Sequence, residues 1–163
     1  MHEIVIIVAK YFIVVSALVA LYIWVKLDRE QKKQFIIEGF IGGILALVLA
    51  IIGSKLYHDP RPFVVGHFTP YFLHGNDNGF PSDHTLITSV VAFLAMKYSK
   101  LGGWVLLALA VMIGLARVIA GVHHLVDIIG SIIFAGIGIL VAQLIVRRTF
   151  AKSKVAEPST GKS

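Results

Sequence analysis

Four ionisable side chains lie at the junction of two apolar runs, between positions 117 and 127. They are Arg117, His123, His124 and Asp127. Placing a charged side chain in a bilayer costs several kcal/mol, so ionisable residues there usually face a bundle interior or water and serve a function. His123 and Asp127 are four positions apart and share one face of any helix that begins there. The aspartate could then orient a nucleophilic imidazole.

Less specific interpretations of the same residues stay open. His123 and Asp127 could form an interfacial hydrogen-bonded pair, or a metal site together with His124. Arg117 could extend its charge to the membrane surface. His84 could be an ordinary helix-start histidine. The functional interpretation of the whole group is the stronger one, because the alternatives require a separate coincidence for each residue on the same membrane face.

The composition indicates an integral membrane protein. The 163 residues are 57% hydrophobic and 15% charged, against about 25% charged in an ordinary soluble domain. Cysteine is absent, which excludes disulfides and thiolate chemistry. The net charge of +6 comes from Lys and Arg at the ends of apolar runs. That distribution indicates membrane topology and gives no indication of nucleic-acid binding.

Apolar segments predict an all-α fold, a compact bundle of about five transmembrane helices. The predicted helices are 4–25, 35–53, 84–96, 101–120 and 125–146. A polar hinge, 26–34, separates the first two, and a long Pro- and aromatic-rich loop, 55–81, precedes the third. We expect one transmembrane domain over residues 1–150 and a disordered cytoplasmic tail over 151–163.

Four residues of the second predicted helix carry expectations about packing. Gly39, Gly42 and Gly43 predict close helix approach, with Gly39 and Gly43 in a Gly-x-x-x-Gly arrangement. Glu38 is expected at the interface or paired with a neighbouring helix.

The basic residues predict the orientation. With the 26–34 hinge in the cytoplasm, all 15 Lys and Arg residues except Lys10, Lys55, Arg61 and Arg117 lie on the cytoplasmic side. The N-terminus is then outside and the C-terminus inside. Three cations would gather with the candidate histidines at the outer face, and such a group favours an anionic partner. Guanidinium groups suit phosphate oxygens, and two histidines permit one to attack while the other transfers a proton.

Three segments resemble the motifs of the type 2 phosphatidic acid phosphatase superfamily, Lys-x6-Arg-Pro, Pro-Ser-Gly-His and Ser-Arg-x5-His-x3-Asp. They are 55–62, 81–84 and 116–127. The Arg-Pro-Phe and Phe-Pro-Ser-Asp-His-Thr stretches and the short length are similar to bacitracin-resistance type undecaprenyl-diphosphate phosphatases. Lys55 is one position closer to Arg61 than the family spacing, Asp83 replaces glycine, and Ala116 replaces serine.

The resemblance implies a role for each matching residue. His123 would attack the terminal phosphorus, Asp127 would orient it, and His84 would protonate the leaving oxygen and then activate water. The implied phosphate-binding positions are Lys55, Arg61, Ser82, Asp83 and Arg117. The family uses no metal, so neither a metal nor another cofactor is expected. His124 receives no role.

The implied function is that of an outward-facing lipid phosphatase of the bacterial cytoplasmic membrane. It would convert undecaprenyl diphosphate to the monophosphate plus phosphate, recycling a carrier lipid for cell-wall synthesis. One alternative is phosphatase activity on another lipid phosphate, such as phosphatidylglycerophosphate, phosphatidate or a lipid A phosphate. A non-enzymatic alternative is an anion-binding or transport protein, although the chain has no convincing internal repeat. The oligomeric state stays open.

Overall fold

Six helices make up most of the described chain, which comprises residues 2–156, with side chains from 2 to 149, in a computed structural model. They are α1 (His2–Lys26), α2 (Arg29–Leu56), α3 (Pro62–Val65), α4 (Asp83–Met96), α5 (Lys100–Ile119) and α6 (Leu125–Ala156). The helices α1, α2, α5 and α6 are long and apolar enough to cross a membrane. These helices confirm the predicted all-α membrane fold.

The shortest of the five bundle helices, α4, lies at the centre of the bundle. Its 14 residues rise about 21 Å, less than a hydrocarbon layer of roughly 30 Å. It contacts α1, α2, α5 and α6. Its buried side chains are mostly small or hydroxylated, including Thr85, Thr88, Ser89 and Ala92. Such side chains allow neighbouring helices to approach closely.

The closest approach of α2 to α6 occurs at Gly42 and Gly138. A Cβ added at Gly42 would lie 2.5 Å from Ile139 Cδ1, and one added at Gly138 would lie 2.6 Å from the Gly42 carbonyl oxygen. Gly39 faces α4, but a Cβ at Gly43 would meet nothing within 4 Å. The prediction that Gly39 and Gly43 act as a packing pair is therefore wrong for Gly43.

The predicted hinge at 26–34 is much shorter in the structure, because α2 begins at Arg29. The Gln31 N–H donates to Asp28 Oδ1 (2.9 Å), and the Asp28 N–H donates to Gln31 Oε1 (3.2 Å). This capping box starts the helix within the charged run. At the other end of the chain, α6 continues to Ala156, six residues into the segment 151–163. Residues 157–163 lie outside the described chain, so their disorder stays a prediction.

Glu38 is fully buried and has two partners from the turn that joins α4 to α5. Lys97 donates to its Oε1, and the Tyr98 hydroxyl donates to its Oε2 at 3.1 Å. A buried carboxylate needs such donors, since an unpaired buried charge is costly. The expectation that Glu38 pairs with a neighbouring element is confirmed.

The long loop between α2 and α4 packs against the bundle through Asn78 and Phe80. The Asn78 side chain donates to the Ser54 and Tyr57 carbonyl oxygens at 2.8 and 3.0 Å, which lie in and just after the last turn of α2. Its Oδ1 accepts from the Asp59 and Phe80 N–H groups at 2.8 and 3.1 Å. The loop is therefore fixed to the end of α2, close to the ends of α4 and α6.

Candidate active site

His123 and Asp127 form a buried hydrogen-bonded pair where α5 gives way to α6. Gly121 has a φ of +79° and allows the turn after α5. His123 Nδ1 donates to Asp127 Oδ2 at 3.0 Å, and the two residues are 3% and 0% exposed. The same Oδ2 accepts the His124 N–H at 2.9 Å. Asp127 therefore helps to start α6 and also fixes the orientation of the His123 ring.

This pairing leaves the lone pair of the ring on His123 Nε2. Burial lowers the pKa of His123 below its ordinary value, and the hydrogen bond to Asp127 opposes that shift. Burial is the larger effect, so the ring is neutral at pH 7. A neutral imidazole with a fixed tautomer can act as a nucleophile.

Arg61 lies directly against this nitrogen, with Nη1 3.4 Å from His123 Nε2. Its Nη1 also donates to the Val122 carbonyl at 2.8 Å, and its Nε donates to Asp77 Oδ1 at 3.0 Å. Arg61 is 4% exposed, and its guanidinium holds the pKa of the Asp77 carboxyl below the usual range. Nη2 donates one N–H to the Asn78 carbonyl at 3.4 Å, so its second N–H is free for a ligand.

Arg117 reaches the same region from the last turn of α5. Its Nη1 donates to the Ala9 carbonyl of α1 at 3.3 Å, and its Nη2 donates to His74 Nε2 at 3.0 Å. The guanidinium carbon lies 5.8 Å from the centre of the Phe72 ring. The Arg117 Nε is buried and has no hydrogen-bond partner among the described residues.

His74, from the long loop, is a site residue that the motifs did not indicate. Its ring is 6.0 Å from the His123 ring, edge to face. Because a guanidinium can only donate, His74 Nε2 must accept from Arg117, and the ring proton lies on Nδ1. By distance and angle, that buried Nδ1 has no hydrogen-bond partner in the described chain, although the Gly75 backbone lies near enough to oppose the lowering of the pKa of His74.

The predicted residues of the 81–84 segment lie at the start of α4. Half-buried His84 is in the first turn of α4, where the charges of Arg117 and His123 act on it. Ser82 is the N-cap residue but makes no side-chain capping bond. It is fully buried, and its Oγ accepts from Thr85 Oγ1 at 3.2 Å.

Asp83 is exposed and lines a cavity of about 260 Å³ together with Arg61. Lys55 is exposed in the last turn of α2 and makes no hydrogen bond or ion pair with a described residue. The structure thus brings Arg61, His84, Arg117, His123 and Asp127 to one end of the bundle. It does not bring Lys55 into contact with them, and a phosphate-binding role for Lys55 stays a prediction.

His124, for which no role was predicted, pairs with Asp59. His124 Nδ1 lies 2.9 Å from Asp59 Oδ2. Burial, and next the charge of Asp127, raise the pKa of the Asp59 carboxyl. One ligand atom each from Asp59, His124 and Asp127 lies within 4.8 Å of the others, a donor set that could hold a metal ion. Oδ2 of Asp127 already accepts from His123, and Oδ2 of Asp59 already pairs with His124. Asp127 Oδ1 is buried without a hydrogen-bond partner among the described residues, so it is the carboxylate oxygen of Asp127 that an ion could bind.

Known proteins are similar to this chain in both sequence and fold. Residues 38–153 match the model of the PAP2 superfamily. The undecaprenyl-diphosphatase BcrC of Bacillus subtilis is 31% identical over 135 residues, covering 83% of this chain and 69% of BcrC. The putative undecaprenyl-diphosphatase YbjG of Escherichia coli is 32% identical over 146 residues, covering 89% of this chain and 73% of YbjG.

The crystal structure of Aquifex aeolicus LpxE shares the fold, with a TM-score of 0.62 at 22% identity. The match covers 86% of this chain and 81% of LpxE. The resemblance drawn from the three motifs is confirmed by these matches. The chain therefore belongs to the PAP2 superfamily and is a membrane phosphatase, a hydrolase acting on lipid phosphates.

Proposed function

We propose that this phosphatase removes the terminal phosphate of undecaprenyl diphosphate through a phosphohistidine at His123. The observation that carries this proposal is the buried His123–Asp127 pair, in which His123 Nε2 keeps the lone pair and accepts a long hydrogen bond from the Arg61 guanidinium. Two buried N–H groups at the same end of the bundle, Arg117 Nε and His74 Nδ1, have no acceptor among the described residues. The choice of lipid follows the names of the relatives BcrC and YbjG.

In the first step the Nε2 lone pair attacks the terminal phosphorus. The bond between that phosphorus and the bridging oxygen breaks, and the lipid monophosphate leaves with a proton from His84. Asp127 stabilises the positive charge that develops on the ring of His123. Arg61 and Arg117 stabilise the charge on the transferring phosphoryl group, which three equatorial oxygens share.

In the second step a water molecule attacks the phosphohistidine. His84, now neutral, accepts the proton of that water, and the N–P bond breaks to release inorganic phosphate. His123 returns to its starting tautomer because its Nδ1 stays bonded to Asp127. The two steps use both histidines twice and consume one water, so atoms and protons balance without a cofactor.

The remaining phosphate contacts are assigned by position. Ser82 lies at the start of α4, where backbone N–H groups favour anions. Burial, and next the charge of Arg117, lower the pKa of His84, and the charge of Asp83 opposes them only in part. Protonation of His84 is therefore assigned to the complex, in which the bound diphosphate adds negative charge. His74 Nδ1 is assigned to an oxygen of the phosphate nearer the lipid, which a monophosphate substrate lacks. This last contact would favour diphosphates.

We place the protein in the bacterial cytoplasmic membrane with the site facing outward. The site lies at one end of the bundle, and the pair of Glu38 with Lys97 lies at the other. The charged start of α2 is at that second end, where its Lys32 carbonyl accepts from Trp24 Nε1. Because Lys and Arg concentrate on the cytoplasmic side, the catalytic end is assigned to the outside.

Phosphate release from a lipid panel tests the proposed function. The protein, purified in detergent, would be given undecaprenyl diphosphate, phosphatidylglycerophosphate, phosphatidate and a lipid A phosphate, each with and without EDTA. We expect the highest kcat/KM for undecaprenyl diphosphate and no effect of EDTA. Preference for another lipid would reassign the substrate, and no release from any lipid would refute phosphatase activity.

The adjacent histidines provide a matched pair of variants for the mechanism. His123→Ala should release no phosphate and should form no acid-labile, base-stable phosphoenzyme from radiolabelled substrate. His124→Ala, one position along the chain, should keep both. A labelled phosphoenzyme in His123→Ala would move the nucleophile to another residue.

A further inference from the structure

A groove between α2 and α4 runs from the candidate active site along the bundle. Its first part is the cavity of about 260 Å³ that Arg61 and Asp83 border, with Leu47 and Ser54 of α2 on its other side. Its second part is a cavity of about 320 Å³ lined by Gly43, Leu47, Leu86, Ile87, Val90 and Val91. Leu47 lines both cavities, so the two are neighbouring sections of one groove.

The lining residues form one stripe on each helix. On α2, positions 43, 47, 51 and 54 lie on one face, three or four residues apart. On α4, positions 83, 87 and 90 do the same. From Ser54 to Gly43 the groove extends about 16 Å along α2 at 1.5 Å per residue. It is polar beside Arg61 and wholly apolar beyond Leu47.

Helix packing does not require a glycine at position 43. A Cβ there would meet nothing within 4 Å, whereas Gly42 next to it packs against α6. A glycine inside a helix costs roughly 0.5–1 kcal/mol relative to alanine. The space that Gly43 leaves open is part of the apolar section of the groove.

We propose that this groove binds the hydrocarbon chain of the lipid substrate next to its head group, and that Gly43 determines how deeply the chain sits. This assignment rests on the proposed function. The occupant follows from the polarity of the groove, because an anionic head group with an apolar chain matches a channel that is cationic at one end and apolar at the other. Arg61, at the polar end, also contacts His123 Nε2.

The apolar end of the groove opens on the outer surface of the bundle. Leu47 and Ile87 are 53% and 52% exposed there, on helices packed into a membrane-spanning bundle. The chain can therefore continue from the groove into the bilayer. A second apolar pocket, of about 310 Å³, is lined by Ala20, Leu21 and Gly39 among others, and no candidate active-site residue lines it. That pocket supplies a control.

Filling each cavity separately tests the assignment. Gly43→Phe places a ring in the groove, and Ala20→Phe places the same ring in the control pocket. Each variant would be assayed with undecaprenyl diphosphate and with dimethylallyl diphosphate, whose chain is too short to reach Gly43. Gly43→Phe should lower kcat/KM for the long substrate by about tenfold or more, the effect of excluding about two methylene groups. The kcat/KM of Gly43→Phe for the short substrate should stay within about twofold of that of the unmodified protein. The same should hold for the kcat/KM of Ala20→Phe on both substrates.

The series Gly43→Ala, Gly43→Leu and Gly43→Phe distinguishes the loss of chain binding from a folding defect. Alanine is the smallest step, because it adds only a Cβ that meets nothing within 4 Å. The loss on the long substrate should grow with side-chain size, and the unfolding temperature should not fall below that of the unmodified protein. Equal losses on both substrates, no loss at Gly43, or a selective loss in Ala20→Phe would each overturn the groove assignment. Failure of the unmodified protein to hydrolyse either diphosphate would instead refute the proposed function.

Discussion

Replacing His74 separates a contact to the substrate from a contact that only supports the fold. His74 Nε2 accepts from Arg117 at 3.0 Å, so the ring presents Nδ1–H as its one donor. Burial, and next the charges of Arg61 and Arg117, lower the pKa of His74 below its ordinary value. The ring is therefore neutral at pH 7 and keeps that tautomer. We predict that Nδ1–H donates to the phosphate nearer the lipid.

The size of the effect follows from the hydrogen bond that is lost. A hydrogen bond to a charged group is worth about 1.5–3 kcal/mol, which corresponds to roughly a 10- to 150-fold change in kcat/KM. His74→Ala should therefore reduce kcat/KM for undecaprenyl diphosphate by that factor. The activity towards a monophosphate lipid should change much less, because the second phosphate is absent.

Two amide variants test which nitrogen matters. The Asn side-chain nitrogen can take the place of His Nδ1, whereas the Gln nitrogen takes the place of Nε2. His74→Asn should restore most of the activity on the diphosphate, and His74→Gln should not. Steady-state phosphate release from both lipids, with unfolding temperatures measured in detergent, gives the comparison. Equal losses on the two lipids, or rescue by Gln and not by Asn, would refute the predicted contact.

Three other outcomes can be measured on the same preparations. Gly42→Ala should lower the unfolding temperature, because its Cβ would lie 2.5 Å from a side-chain atom of α6, whereas Gly43→Ala should stabilise the helix by about 0.5–1 kcal/mol; the same sign for both would contradict this. Glu38→Gln should lower the stability by about 1–2 kcal/mol, since Lys97 is partly exposed, and should leave kcat/KM unchanged. Attack requires neutral His123, whose pKa lies below its ordinary 6.5. The acid limb of the pH profile of kcat/KM should therefore lie below pH 6.5, and an acid limb above 6.5 would contradict the assigned nucleophile.

Features that depend on local sequence were predicted well. The apolar runs predicted the bundle helices, and the four-residue spacing predicted the contact of His123 with Asp127. The shared helix face was not found, because α6 begins at Leu125 and His123 lies just before it. The hinge at 26–34 was misjudged because a charged run resembles a loop until its capping box is considered. Gly43 was misjudged because the Gly-x-x-x-Gly pattern does not specify which face of α2 meets a neighbour.

Contacts between distant segments could not be found by spacing. The motifs identify Arg61 and Arg117, but His74 lies 43 positions from Arg117 in a loop without a local period. The only sequence signal for His74 was its place in a long aromatic loop, a kind of loop that often carries function. The role of His74 depends on the packing of that loop, which the amino-acid sequence alone does not specify.

Asp127 shows why a motif reveals only part of such a site. Its Oδ2 accepts from His123 Nδ1 and from the His124 backbone N–H, so one oxygen both orients the His123 ring and starts α6. The spacing of the motif encodes this local arrangement. Asp59 and His124, 65 positions apart, complete the surroundings of the same carboxylate. Such a neighbour affects the charge of the aspartate without belonging to the motif, because tertiary packing alone brings it there.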